Sequence, residues 1–86
     1  MNKISSEILN DIETLAKGVH NQWMAGRLAA GWKLGKERSD ARKEHPSLIP
    51  YEKLSEEEKE YDRQTALETI KCLMSLGYEI KKTGIK

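Results

Sequence analysis

The sequence predicts a mainly α fold: two long antiparallel helices with an ordered, proline-containing loop packed across them. Two stretches carry apolar residues at helical spacing, and each opens on a residue suited to cap a helix. Between them, 33–54 is charge-dense, contains Pro46 and Pro50, and shows no sustained period. Two helices alone bury too little surface, so the loop has to supply the third wall of the core.

The first helix is expected to start at Ser5 or Ser6, either of which can accept from free backbone N–H groups. Ile8, Ile12, Leu15, Val19, Trp23, Gly26 and Ala30 then recur in steps of three and four, which keeps one face apolar. The pattern fades near Gly31, a natural helix end. A single helix over 6–30 would be about 37 Å long at 1.5 Å per residue. In the loop, the prolines direct Ser47–Ile49 away from helix, Ser39–Glu44 suits a short helical turn, and short extended or 3₁₀ pieces fit elsewhere. Leu48, Ile49 and Tyr51 are the apolar residues that would pack back onto the helices.

The second helix is expected to begin after Ser55, because Glu58 three residues later completes a capping box. Glu56, Glu57, Glu58 and Glu60 crowd its positive end, where carboxylates are favoured. Tyr61, Thr65, Leu67, Ile70, Leu73, Met74 and Leu76 follow at near-helical spacing, and Gly77 suits the position just past its end. The expected core is Ile12, Leu15, Val19, Leu67, Ile70 and Leu73. Residues 1–80 read as one domain and 81–86 as a polar tail.

Composition excludes several function classes. With 86 residues, this is one small domain. Fifteen basic against 14 acidic residues leave no basic excess to neutralise phosphates, which argues against nucleic-acid binding. No apolar run approaches the roughly 20 residues of a membrane span. Cys72 is the one cysteine, so no intrachain disulfide forms, and without a secretory signal at the start the expected compartment is the cytoplasm. His20, His45 and Cys72 do not pair at ligand spacing, so neither a metal nor another cofactor is expected. Gly31–Glu37 differs from a phosphate loop in glycine spacing and places Glu37 where a hydroxyl belongs. No nucleophile motif is present, and an enzyme is not expected.

One constellation carries chemistry. His20, Trp23 and Arg27 stand at i, i+3 and i+7, along one helix stripe. An indole can stack on a base, a guanidinium can grip a phosphate through two N–H groups, and an imidazole can bond a ribose or phosphate. The trio suits a nucleotide-like small molecule. The competing reading makes Trp23 core, Arg27 its alkyl cover and His20 an ordinary half-buried histidine. His45 and Tyr51 likewise either close such a pocket or serve as packing. Asp62 is a candidate partner for Arg38, Arg42 or Arg63 of a second copy. Trp32 either turns into the loop layer or marks an exposed contact surface, and with Tyr78 it forms a candidate interface for a two-fold homodimer.

The order His-Asn-Gln-Trp-Met-Ala-Gly-Arg at 20–27, Gly-Trp-Lys-Leu-Gly at 31–35, His-Pro-Ser-Leu-Ile-Pro-Tyr at 45–51, Glu-Lys-Glu-Tyr-Asp-Arg at 58–63 and Leu-Gly-Tyr at 76–78 resembles the RyR domain, the repeat module of ryanodine receptors. The single copy is similar to the prokaryotic or phage-like form. The resemblance implies a non-catalytic binding or sensing module, with His20, Trp23 and Arg27 matching a His-x-x-Trp-x-x-x-Arg pattern of nucleotide-binding tandem repeats. It also implies that a pocket shared by two repeats would here require a homo-oligomer. The alternative, from a different class, is a structural protein–protein interaction domain without a small ligand.

Overall fold

The computed structural model describes residues 4–83 and is mainly helical. The outermost parts of the expected domain and tail, 1–3 and 84–86, lie outside the described residues. In chain order the elements are α1 (Ser6–Asn10), α2 (Ile12–Ala29), β1 (Lys33–Leu34), β2 (Glu44–His45), a 3₁₀ turn (Tyr51–Lys53) and α3 (Glu56–Ser75).

The single first helix expected over 6–30 is divided. Ser5 caps α1, its hydroxyl accepting from the Ile8 N–H at 3.3 Å. Asp11 then leaves helical geometry (φ −98°, ψ 10°) and separates α1 from α2. Aspartate competes poorly for helix interiors and favours their ends. Its carboxylate pairs with Lys82 Nζ at 3.1 Å, which ties part of the expected tail to the break. At the other end, Gly31 adopts φ +91°. The Gly31 N–H bonds Leu28 O at 3.1 Å and the Trp32 N–H bonds Arg27 O at 3.0 Å, a Schellman closure that glycine admits at little steric cost.

The loop is built on short pairings. β1 and β2 run parallel, Lys33 opposite Glu44 and Leu34 opposite His45. Ser39 and Glu44 form an isolated antiparallel bridge, so the segment read as a helical turn is a bridged turn instead. Lys43 sits at φ 54° and its ammonium donates to the last-turn carbonyl of Ala30 at 2.9 Å. Gly35 is fixed by close approach: a Cβ there would lie 2.6 Å from Glu44 Cβ.

The capping box of α3 is present in full. Ser55 Oγ accepts from the Glu58 N–H at 3.2 Å and Glu58 Oε1 accepts from the Ser55 N–H at 3.1 Å. The helix closes at Gly77 with the same two bonds seen after α2, to Met74 O and Leu73 O.

The core differs from the expected one. Ala16, Leu48, Tyr51, Leu54 and Ala66 are the buried apolar residues, and Tyr51 and Leu54 cluster with Ala16. Ile12, Val19, Leu67 and Ile70 are half-buried. Leu15 and Leu73, expected inside, remain 37% and 38% exposed, and Tyr61 is 74% exposed. The inward stripe of α3 passes through Glu58, Asp62, Ala66 and Ile70, in steps of four, which turns Tyr61 outward. Arg63 is the hub of an ion-pair network joining Glu13 of α2 to Glu56 and Glu60 of α3. Those carboxylates raise the guanidinium pKa, its hydrogen bond to Glu13 contributing most.

Candidate functional site

Half-way along α2, His20 faces the loop and α3 and is 3% exposed. Its Nε2 lies 2.7 Å from the carbonyl oxygen of Ile49. A carbonyl only accepts, so Nε2 carries the hydrogen. Nδ1 is left toward Asp62 of α3, 3.9 Å from Oδ2. One turn further on, the Trp23 indole stacks on the His20 ring, centroids 5.6 Å apart and planes at 26°. His45 meets the same indole edge-on at 4.9 Å and 74°. The Arg27 guanidinium lies 5.5 Å from the Trp23 ring and 4.5 Å from the Trp32 ring, in cation–π contact with both indoles.

The helical spacing of His20, Trp23 and Arg27 thus becomes a column of flat groups, continued by Trp32 and flanked by His45. Beside it is a cleft of about 300 Å³. His20, Trp23 and His45 line one side, Glu58, Tyr61 and Asp62 of α3 line the other, and Ser47 and Leu54 lie between. Arg27 borders this column and is not among the cleft-lining residues.

The electrostatics of the cleft are polarised. His45 Nδ1 accepts from the Ser47 N–H at 3.0 Å, which leaves Nε2–H as the donor of a neutral ring. Burial pushes the His45 pKa down, and the nearby cations Arg38 and Arg27 add to the shift. On the opposite side, burial raises the Asp62 pKa, with neighbouring Glu58 pushing the same way against His20. Glu58 itself is lowered, first by the hydroxyl of Ser47 and then by the Ser55 N–H. Arg27 and Arg38 thus stand at one end, where Asp40 pairs with Arg38, and acceptor oxygens gather along α3.

A match to the RyR domain family extends over residues 2–82. The chain belongs to the RyR domain family. The matched span takes in every residue of the cleft, and the fold positions these residues within one ryanodine-receptor-type repeat module. Within the RyR domain the expected site residues take different places. His20, Trp23 and His45 converge on the cleft and Arg27 adjoins them. Tyr51 does not line it: the ring is 5% exposed, 6.4 Å from His20, and the hydroxyl donates to Glu13 Oε1 at 2.8 Å. Burial, reinforced by that hydrogen bond, pushes the Tyr51 pKa up to about 12.

Two expected partners of Asp62 are corrected: Arg38 pairs with Asp40 and Arg42 with Glu44, so neither meets Asp62 among the described residues. Within the chain Arg63 pairs with three glutamates. Trp32 turns into the loop layer, half-buried, while Tyr78 is 63% exposed. Sequence reasoning missed Ser47, Glu58 and Asp62 as cleft residues. Their signal was the four-residue step from Glu58 to Asp62, which places both carboxylates on one helix face. No cluster of three or more metal-ligating side chains occurs among the described residues, and no helix there is long and apolar enough to cross a membrane.

Proposed function

We propose that this RyR domain is a non-catalytic, cytoplasmic binding and sensing module for a nucleotide-like ligand. The observation that carries the reading is the cleft against the stacked His20–Trp23 pair, bordered by an Arg27 with no carboxylate partner among the described residues. A heteroaromatic base placed in the cleft gains apolar contact with the edges of the stacked Trp23 and His20 rings, while an anionic group directed toward Arg27 gains a charge-assisted contact. His45 donates through Nε2–H, and Tyr51 supports His20 from the core side. Calorimetric titration with adenosine monophosphate and guanosine monophosphate tests the reading. Arg27→Ala should weaken binding by about ten-fold or more with little change in the unfolding midpoint. Equal affinity in wild type and variant removes Arg27 from the site, and absence of binding by either nucleotide defeats the ligand reading.

A second reading, a structural interaction domain that pairs with its own copy and takes no small ligand, draws on the apolar side chains at the far end of α3. Leu76 is 71% exposed and Tyr78 63%. Trp32 contributes less than its sequence position suggests, because Arg27 covers one face of it. A two-fold dimer should sediment at twice the 9.8 kDa chain mass, and a clean monomer at micromolar concentration rules it out.

A further inference from the structure

Asp62 occupies an unusual position. It lies in the middle of the inward stripe of α3, and its side chain is only 13% exposed. Among the described residues no hydrogen bond ends on it, and its nearest cationic candidate, His20 Nδ1, is 3.9 Å away. His20 commits its Nε2–H to Ile49, and at 3.9 Å its Nδ1 is too far from Asp62 to make a hydrogen bond. Neither carboxylate oxygen is both fully enclosed and unsatisfied. Their remaining exposure is toward the cleft that Asp62 lines.

Glu58, one turn earlier, contrasts with it. Both of its oxygens are engaged, one by Ser47 and the other by Ser55. The cleft therefore contains one carboxylate saturated by the protein and one left open. A half-buried carboxylate without donors is costly unless water or a ligand supplies them. Opposite Asp62 the edges of the stacked Trp23 and His20 rings make the apolar side of the cleft, which suits a ligand with an aromatic body and a polar donor edge.

We infer that Asp62 is the specificity-determining acceptor of this cleft, reading an exocyclic amine on the edge of a purine base. The inference rests on the ligand reading above and adds the orientation. The base edge that donates faces α3, and the anionic end of the ligand faces the Arg27 side. A base whose corresponding edge carries only acceptors meets the carboxylate with like polarity and is disfavoured.

Two matched pairs test this by calorimetric titration of the intact domain. Adenosine monophosphate and purine riboside monophosphate differ only in one exocyclic amine, as do guanosine monophosphate and inosine monophosphate. In wild type the amine-bearing member of at least one pair should bind about ten-fold tighter, as expected for a hydrogen bond to a charged group. In Asp62→Ala that preference should shrink to about two-fold or less. Should Asp62→Ala lose its helical circular dichroism, Asp62→Asn keeps the shape and removes the charge, and the preference should fall because neutral acceptors bond more weakly. Equal affinities within both wild-type pairs overturn the inference, as does a full-strength preference in the folded variant, and both leave the ligand reading standing. If none of the four nucleotides binds, the ligand reading fails and this inference fails with it.

Discussion

The Nε2–H of His20 donates to the carbonyl of Ile49 at 2.7 Å, joining the middle of α2 to a loop residue 29 positions later. This bond anchors the proline-containing loop at the level of the cleft. His20→Leu keeps an apolar side chain of similar reach but orphans the carbonyl. It should destabilise the domain by about 1–3 kcal/mol, the range for an unsatisfied buried acceptor. A denaturant midpoint unchanged from wild type would show that the bond contributes nothing to the fold.

Ser55→Ala removes the acceptor for the Glu58 N–H. The expected loss is about 1 kcal/mol, read from the urea midpoint at constant slope. Since Glu58 also bonds Ser47, the same variant should loosen the loop and speed amide exchange at Ser47.

The core inventory ranks two leucines. Leu54 is 6% exposed and packs with Ala16 and Tyr51, whereas Leu73 is 38% exposed. Leu54→Ala should cost about 2–5 kcal/mol, enough to threaten folding of so small a domain. Leu73→Ala, already partly solvated, should cost clearly less. Equal losses from the two would place the packing centre nearer the ends of α3 than the structure does.

Stability should fall in acid, and Glu58 should contribute to that fall. Its pKa is depressed in the folded protein by Ser47 and Ser55. The unfolded chain therefore binds the proton more readily, and the stabilisation is present above the ordinary value of 4.5 and lost as pH drops through the folded pKa. Asp62 has the opposite sign: its raised pKa contributes stability at low pH that is lost as pH rises. Glu58→Gln should flatten the acid limb of the stability curve, and Asp62→Asn should not. Chemical denaturation between pH 3 and 6 separates them, and an acid limb unchanged in Glu58→Gln refutes the assignment.

What the sequence made legible depended on how local the cause was. Both ends of α3 follow from neighbouring residues, Ser55 with Glu58 at the start and Gly77 at the close. The end of α2 follows from Gly31 in the same way. The break at Asp11 did not show, because Ile8, Ile12 and Leu15 carry the apolar period straight through it. The core was misjudged for a long-range reason. Period alone ranks large apolar side chains, but the surface the loop can cover is set by where Tyr51 and Leu54 land, which is on Ala16. Leu15 and Leu73 fall outside that cover. The grouping of His20, Trp23 and Arg27 was readable because they share one helix. The place of Asp62 across the cleft from His20 and Trp23 was not, since it depends on how α3 is turned against α2.

Glu58 belongs at once to the first turn of α3, to the loop through Ser47 and to the lining of the cleft. Opening the cleft on that side and unwinding the start of α3 are therefore largely one motion. The amides of Glu58 and Lys59, which donate to Ser55 Oγ and Ser55 O, become natural reporters of both: the unwinding that frees them also releases the Glu58 side of the cleft.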